Sequence, residues 1–203
     1  MQYRLGELFC GPGGLAYGAI NAEINNGDKI VHAWANDYDS DTCSTYIKNI
    51  CPNDADSVIC DDVRKLDLDK LSPIDALAFG FPCNDFSVVG EQKGFNGTFG
   101  PLYTYGVAVL KKYKPMWFLA ENVGGLKSAN DGNAFQKILS DLKDCGYKIY
   151  PHLYKFEQYG VPQARHRIII VGVRDDLPFK FNPPSPVIYA NEDNTCGTAL
   201  TIP

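Results

Sequence analysis

Short apolar runs that alternate with helix-like stretches constrain this chain most tightly. Residues 4–9, 30–36, 58–59, 74–79 and 116–120 read as strands, while stretches at about 14–25, 40–49, 103–113 and 133–144 carry helix-like patterning. Strands alternating with helices predict an α/β fold, a mostly parallel sheet with right-handed crossovers and helices on both faces. Further on, residues 148–156 and 167–173 predict an antiparallel pair at the sheet edge. Past Pro178 the run Asn182-Pro183-Pro184-Ser185-Pro186 reads as a linker. The expected organisation is therefore one folded domain over 1–178 and a Pro- and Asn-rich linker over 179–203. No internal repeat is present.

A chain of 203 residues is long enough for one sizeable domain. No apolar run approaches ~18 residues, so no membrane span is expected, and the first residues lack the order of a signal peptide. The seven cysteines form no CxxC pair, and His32, His152 and His166 match no zinc spacing. A reducing, cytoplasmic setting with free thiols and no bound metal is predicted. The net charge of −5 argues against strong duplex binding by this chain alone, because phosphate contacts need clustered Lys and Arg. With a nucleic acid substrate, much of the positive surface must come from elsewhere.

Three strand ends carry ligand-type groups. ELFCGPGG at 7–14 follows the first strand; Gly11, Gly13 and Gly14 permit a tight turn and close approach of a ligand to the backbone. With Ala16 the loop also fits the dinucleotide pattern G-x-G-x-x-A. Asp37 ends the second strand, where a carboxylate can accept from both hydroxyls of a ribose. Asp62 and Val63 follow the third, suited to an adenine amine and to its ring face. Phe9 and Tyr38 are placed to flank that ring. Together these predict an adenosine site. The fourth strand runs into GFPCNDFS at 80–87, which sets Cys83 where ligands sit in open α/β sheets. Pro82 fixes its own backbone angle and stiffens that turn.

Four segments in order resemble the DNA cytosine-5 methyltransferase family: ELFCGPGG its first cofactor motif, GFPCNDFS its catalytic loop, AENV at 120–123 its glutamate motif, and QYGVPQARHR at 158–167 its Gln-x-Arg-x-Arg motif. The resemblance runs from about residue 4 to 175. It implies a Rossmann-like methyltransferase fold, S-adenosyl-L-methionine as cofactor and cytosine in duplex DNA as the methylated base. By position it implies Cys83, Glu121, Arg165 and Arg167 as catalytic residues. Phe9, Gly11, Gly13, Gly14, Asp37, Tyr38, Asp62, Val63, Pro82 and Leu102 would line the cofactor site, and Asn84, Ser87 and Gln163 would meet nucleic acid. Asn84 stands where the family commonly has Gln, and Phe99 where Arg is frequent. The family's target-recognition region and last two motifs, with a helix that braces the cofactor domain, have no counterpart before Pro203. A catalytic half is expected, completed by a C-terminal region or a second chain, in a bacterial or phage restriction-modification setting, cytoplasmic or nucleoid-associated.

The implied chemistry begins with a thiolate. Carbon 5 of cytosine is a poor nucleophile until a thiolate adds at carbon 6, and a thiol of ordinary pKa, ~8.5, is only a few per cent ionised at neutral pH. Arg165 or Arg167 would favour the thiolate, and Glu121, when protonated or sharing a proton with ring nitrogen 3, would offset the charge that develops on the base. The target must leave the stack, and the Gly-containing stretch 85–100 is expected to close over it as a lid. Arg165 and Arg167, two apart on a strand, point to one face, with His166 to the other. Asn122 is expected to tie down a loop. Three other readings remain: a tRNA-methylating branch with the same motifs, a nicotinamide oxidoreductase that leaves three of the four motifs without roles, and a cofactor-binding subunit inactive without its partner.

Overall fold

The computed structural model describes residues 1–24, 27–82, 102–127 and 132–186. Five strands run parallel: β1 (Gln2–Leu8), β2 (Lys29–Asp37), β3 (Val58–Cys60), β4 (Ala76–Gly80) and β5 (Trp117–Val123). β6 (Tyr147–Lys155) and β7 (His166–Arg174) form an antiparallel hairpin, and the sheet order is β3-β2-β1-β4-β5-β7-β6. The antiparallel pair expected at the edge is there, and β7 also pairs antiparallel with β5, so of the two only β6 is an edge strand, with β3 at the opposite edge. The chain order reverses between β1 and β4, which opens a crevice at their carboxyl ends.

Four helices cover the sheet: α1 (Gly14–Ile20), α2 (Ser40–Ile50), α3 (Tyr103–Tyr113) and α4 (Asn133–Lys143). α2 starts where Asp39 Oδ1 accepts the Thr42 N–H at 2.8 Å and carries Lys48 in its last turn, both favourable to the helix dipole. α4 buries Ala134, Phe135, Ile138 and Leu142, a stripe at helical spacing. α1 is shorter than its sequence stretch. The Asn21 side chain donates to the Tyr17 carbonyl at 2.8 Å, an acceptor that the Asn21 backbone N–H also uses, and the helix stops there.

Alternation along the strands splits the interior into two cores. Leu8, Leu77, Phe79, Phe118, Ile168 and Ile170 pack with α3 and α4 on one face. Leu5, Ala35, Val58, Ala76 and Ala78 pack with Ala16 of α1 and with Cys43 and Tyr46 of α2 on the other. The β1–β2 register shifts at Leu5/Gly6, where β2 gains a residue, Ala33. This bulge turns His32 as well as Ala35 toward α2.

Candidate active site

A cavity of about 380 Å³ lies in the crevice at the carboxyl ends of β1 to β4. Its walls are Phe9 after β1, Asn36, Asp37 and Tyr38 at the end of β2, Asp62, Val63 and Arg64 after β3, Gly80 and Pro82 around the end of β4, and Leu102 before α3. Seven of the ten residues the sequence assigned to a cofactor site line it. Tyr38 is 77% exposed, its ring free to lie on a ligand.

Gly11 and Gly13 turn the loop, Gly14 opens α1, and the cavity wall contains none of the three. Gly11 and Gly13 have φ of 55° and 96°, and Phe9 adopts 54°, a backbone that non-glycine residues rarely take. The loop is bound to β2: the Cys10 N–H donates to the Asn36 carbonyl at 3.1 Å and the Gly11 N–H to Asp37 Oδ2 at 2.9 Å. A Cβ on Gly13 would lie 2.8 Å from Ile50 Cγ1 and 3.2 Å from Tyr46 Cδ2, so α2 presses on the loop from beneath.

Three residues of the cavity wall, Asn36, Arg64 and Gly80, were not assigned to the site from sequence. Buried Asn36 donates to the carbonyls of Ile59 and Asp61, each at 2.8 Å, and fixes the end of β3 against β2. Arg64 folds back on Asp62, its backbone N–H at 2.9 Å from Oδ1 and its Nε at 2.9 Å from both oxygens. The Arg64 side chain holds the Asp62 carboxyl down at about 2. Asp62 is therefore occupied as an acceptor and would have to share it with a ligand. The signal for this pair was the spacing Asp-x-Arg.

The second cluster stands at the neighbouring strand end. Glu121 of β5 and Arg167 of β7 project to the same face, and Arg167 Nε contacts Glu121 Oε1 at 2.7 Å. Arg165 Nη2 lies 3.8 Å from the same oxygen, contributing charge without a hydrogen bond. Glu121 Oε2 faces β4, where a Cβ on Gly80 would lie 3.2 Å away, and takes no hydrogen bond among the described residues. Buried Asn122 donates to the Phe81 carbonyl at 3.0 Å, while its Oδ1 accepts the Val123 N–H at 2.8 Å. His166 points away and pairs with Glu157 at 2.7 Å. Gln163 is exposed; its backbone N–H donates to Val161 and its carbonyl accepts from Arg165. Cys83, Asn84, Ser87, the stretch 85–100 with Phe99, and residues 187–203 lie outside the described residues.

Among the described residues no group of three or more His, Cys, Asp or Glu could hold a metal ion, and no helix is long and apolar enough to cross a membrane. Cys10, Cys43, Cys51, Cys60 and Cys145 are free thiols.

Comparison with known proteins points one way. The sequence model described as C-5 cytosine-specific DNA methylase matches residues 3–200. The Type II methyltransferase M.BbvI of Brevibacillus brevis is 57% identical over 212 residues, taking in 98% of this chain and 56% of that protein. M.NgoFVII of Neisseria gonorrhoeae, also a Type II methyltransferase, is 38% identical over 203 residues, 96% of this chain and 52% of the relative. The chain thus spans about half the length of the relatives it matches. A solved methyltransferase from Entamoeba histolytica superposes with a TM-score of 0.69 at 21% identity, over 90% of this chain and 55% of that one, a likeness of fold.

Proposed function

The chain belongs to the C-5 cytosine-specific DNA methylase family, and from that premise we propose that it is the catalytic and cofactor-binding half of a restriction-modification methyltransferase acting on carbon 5 of cytosine in duplex DNA. The observation that carries this reading is the bond from Asn122 to the Phe81 carbonyl. It anchors the segment running into Cys83 to the strand that bears Glu121, one residue away. The bond ties the end of β4 to β5, the two strands from which a Cys83 nucleophile and a Glu121 acid would serve one site.

S-adenosyl-L-methionine fits the cavity. Asp37 and Asp62 are acceptors for its hydroxyls and amine, Asp62 sharing its oxygens with Arg64, and Tyr38 and Phe9 offer ring faces. A Cβ on Gly11 would meet nothing within 4 Å, so the loop leaves room beside its backbone. The cofactor supplies an electrophilic methyl group. Cys83 adds as thiolate to carbon 6 of a flipped-out cytosine, which raises electron density at carbon 5. Glu121, one oxygen beside Arg167, directs the other at the base and, sharing a proton with ring nitrogen 3, offsets the negative charge that develops there as the thiolate adds. Arg165, nearly half exposed, contacts base or phosphate, and Asn84, Ser87 and Gln163 meet the nucleic acid.

Covalent trapping tests the reading. In the full-length protein, duplex DNA bearing 5-fluorocytosine at the target should leave a mass-spectrometric adduct on Cys83, because fluorine blocks the last elimination; Cys83→Ser should leave none. An adduct on another residue, or none while cofactor binds, would refute the assignment. Methyl transfer to tRNA but not to duplex DNA would move the substrate to RNA.

A second region completes the enzyme. β5 and β7 leave a groove of about 600 Å³ that is almost wholly apolar, walled by Trp117, Leu119, Tyr154, Ile169, Val171 and Val173. Phe179, Phe181 and Pro184 cover part of it, with the Tyr159 hydroxyl donating to the Pro184 carbonyl at 3.0 Å. The occupant of the rest is the portion that the relatives carry beyond the matched half, supplying target recognition and positive surface. Residues 1–203 alone should therefore methylate DNA at a rate near background, with activity restored by adding that region. Full sequence-specific turnover by the isolated chain would contradict this.

A further inference from the structure

Beneath the cofactor loop lies a buried chain of polar groups to which the proposed mechanism gives no part. Glu7 of β1 is 1% exposed and Tyr46 of α2 is fully buried. The Tyr46 hydroxyl lies 3.1 Å from Glu7 Oε2 and 3.2 Å from His32 Nδ1. His32 Nε2 is 2.7 Å from Ser57 Oγ, and that hydroxyl donates to the Asp54 carbonyl at 2.6 Å. Counting hydrogens settles who donates. Each hydroxyl has one. Ser57 spends its hydrogen on Asp54, so His32 must carry one on Nε2 to reach Ser57. In a neutral imidazole Nδ1 is then an acceptor. The single Tyr46 hydrogen lies between two acceptors and serves one; the other contact is a hydrogen bond only if Glu7 or His32 carries an extra proton.

We propose that Tyr46 is a positioning residue for the cofactor loop, and that one proton shared through its hydroxyl with Glu7 and His32 makes cofactor binding pH-dependent. Two contacts pass the chain's state to the loop. The Tyr46 ring leaves room for no side chain at Gly13, where a Cβ would lie 3.2 Å from Tyr46 Cδ2, and Glu7 stands two residues before Phe9, whose left-handed backbone opens the turn. Burial supports the neutral arrangement with the proton on Glu7: it raises the Glu7 carboxyl to about 8 and pulls His32 below its ordinary value. The other titratable groups facing the chain are Asp37 at the end of β2, Cys10 in the loop, Cys51 at the end of α2 and Asp54 beside His32. When Glu7 ionises, the Tyr46 hydrogen turns to it and His32 Nδ1 loses its partner. A second anion then stands near Asp37 and repels the carboxylate that holds the Gly11 N–H.

The inference rests on the reading of this cavity as the S-adenosylmethionine site, and the test separates the two. The probe is S-adenosylhomocysteine, whose neutral thioether is not attracted by an ionised Glu7, titrated calorimetrically into the full-length protein. Affinity of the unmodified protein should fall about tenfold more between about pH 6.5 and about pH 9 than that of Glu7→Gln, whose amide donates at every pH. The ligand's own titration is common to both proteins. Tyr46→Phe should bind more weakly throughout. Ligand-free melting judges the proton independently. A raised folded-state pKa stabilises fully below 4.5 and is lost as pH rises through about 8, so Glu7→Gln should show a flatter melting profile over that window. Equal pH profiles in both assays overturn the proposal. A flattened melt without binding of the probe at any pH overturns the cofactor reading, and with it the loop's role.

Discussion

Glu121→Gln, in the full-length enzyme, should slow single-turnover methyl transfer by about 10²- to 10⁴-fold, the range for a group that manages a proton in the transition state. Glutamine keeps the shape of the side chain and leaves an oxygen beside Arg167 Nε, now 2.7 Å from Glu121 Oε1. It loses the charge and the capacity to share a proton with ring nitrogen 3. Cofactor affinity should stay within about twofold, because the cavity at β1 to β4 does not include Glu121. The competing account is an ion pair that merely joins β5 to β7. A partly exposed pair of that kind contributes on the order of 1 kcal/mol or less, and Glu121→Gln would then leave the rate within a few-fold of normal. Calorimetric affinity beside a quench-flow rate distinguishes the two outcomes.

The parts of this molecule that could be read in advance depend on neighbours in sequence. The strand-like runs at 74–79 and 116–120 became β4 and β5, and the stretch at 103–113 became α3 with the same limits, because each apolar pattern states its own period. The acceptors at successive strand ends were legible because parallel topology puts all carboxyl ends on one side. What could not be read depends on groups far apart in the chain. The place of β7 between β5 and β6 is set by pairing across about fifty residues, which no local pattern carries. Asp62 was read as free to meet a ligand, yet Arg64 engages both of its oxygens. The loop glycines were read as cofactor-site residues; Gly11 and Gly13 hold positive φ in the turn that follows Phe9, and Phe9 and Asp37 stand in the cavity wall. Tyr46 lies in a stretch whose pattern speaks only of a helix, yet its hydroxyl meets a buried acid 39 residues away.

A single glycine lets β7, the strand of Arg167, lie against Phe118 of β5, the strand of Glu121. In the β5–β7 ladder Phe118 is paired with Gly172 and Val123 with Arg167. The Phe118 ring lies across the glycine, so that a Cβ at position 172 would stand 2.0 Å from Phe118 Cε1. The ring has little room to move aside, being packed edge-on to Tyr147 at 5.1 Å and tilted against Phe79 at 6.0 Å. Gly172→Ala must therefore displace the ring or the strand. Overpacking of this kind costs about 1–3 kcal/mol or more, which in a chain of this size lowers the melting temperature by about 3–10 °C. Gly18→Ala is the control: it lies within α1, a Cβ there meets nothing within 4 Å, and helix propensity should leave melting unchanged or slightly raised. Equal melting of the two variants would show that the core around Phe118 is looser than its contacts indicate. If the strand yields instead of the ring, a slip of one residue would turn Arg167 to the opposite face. Gly172→Ala in the full-length enzyme would then lose methyl transfer beyond what its melting loss explains, with Glu121 left without its 2.7 Å partner.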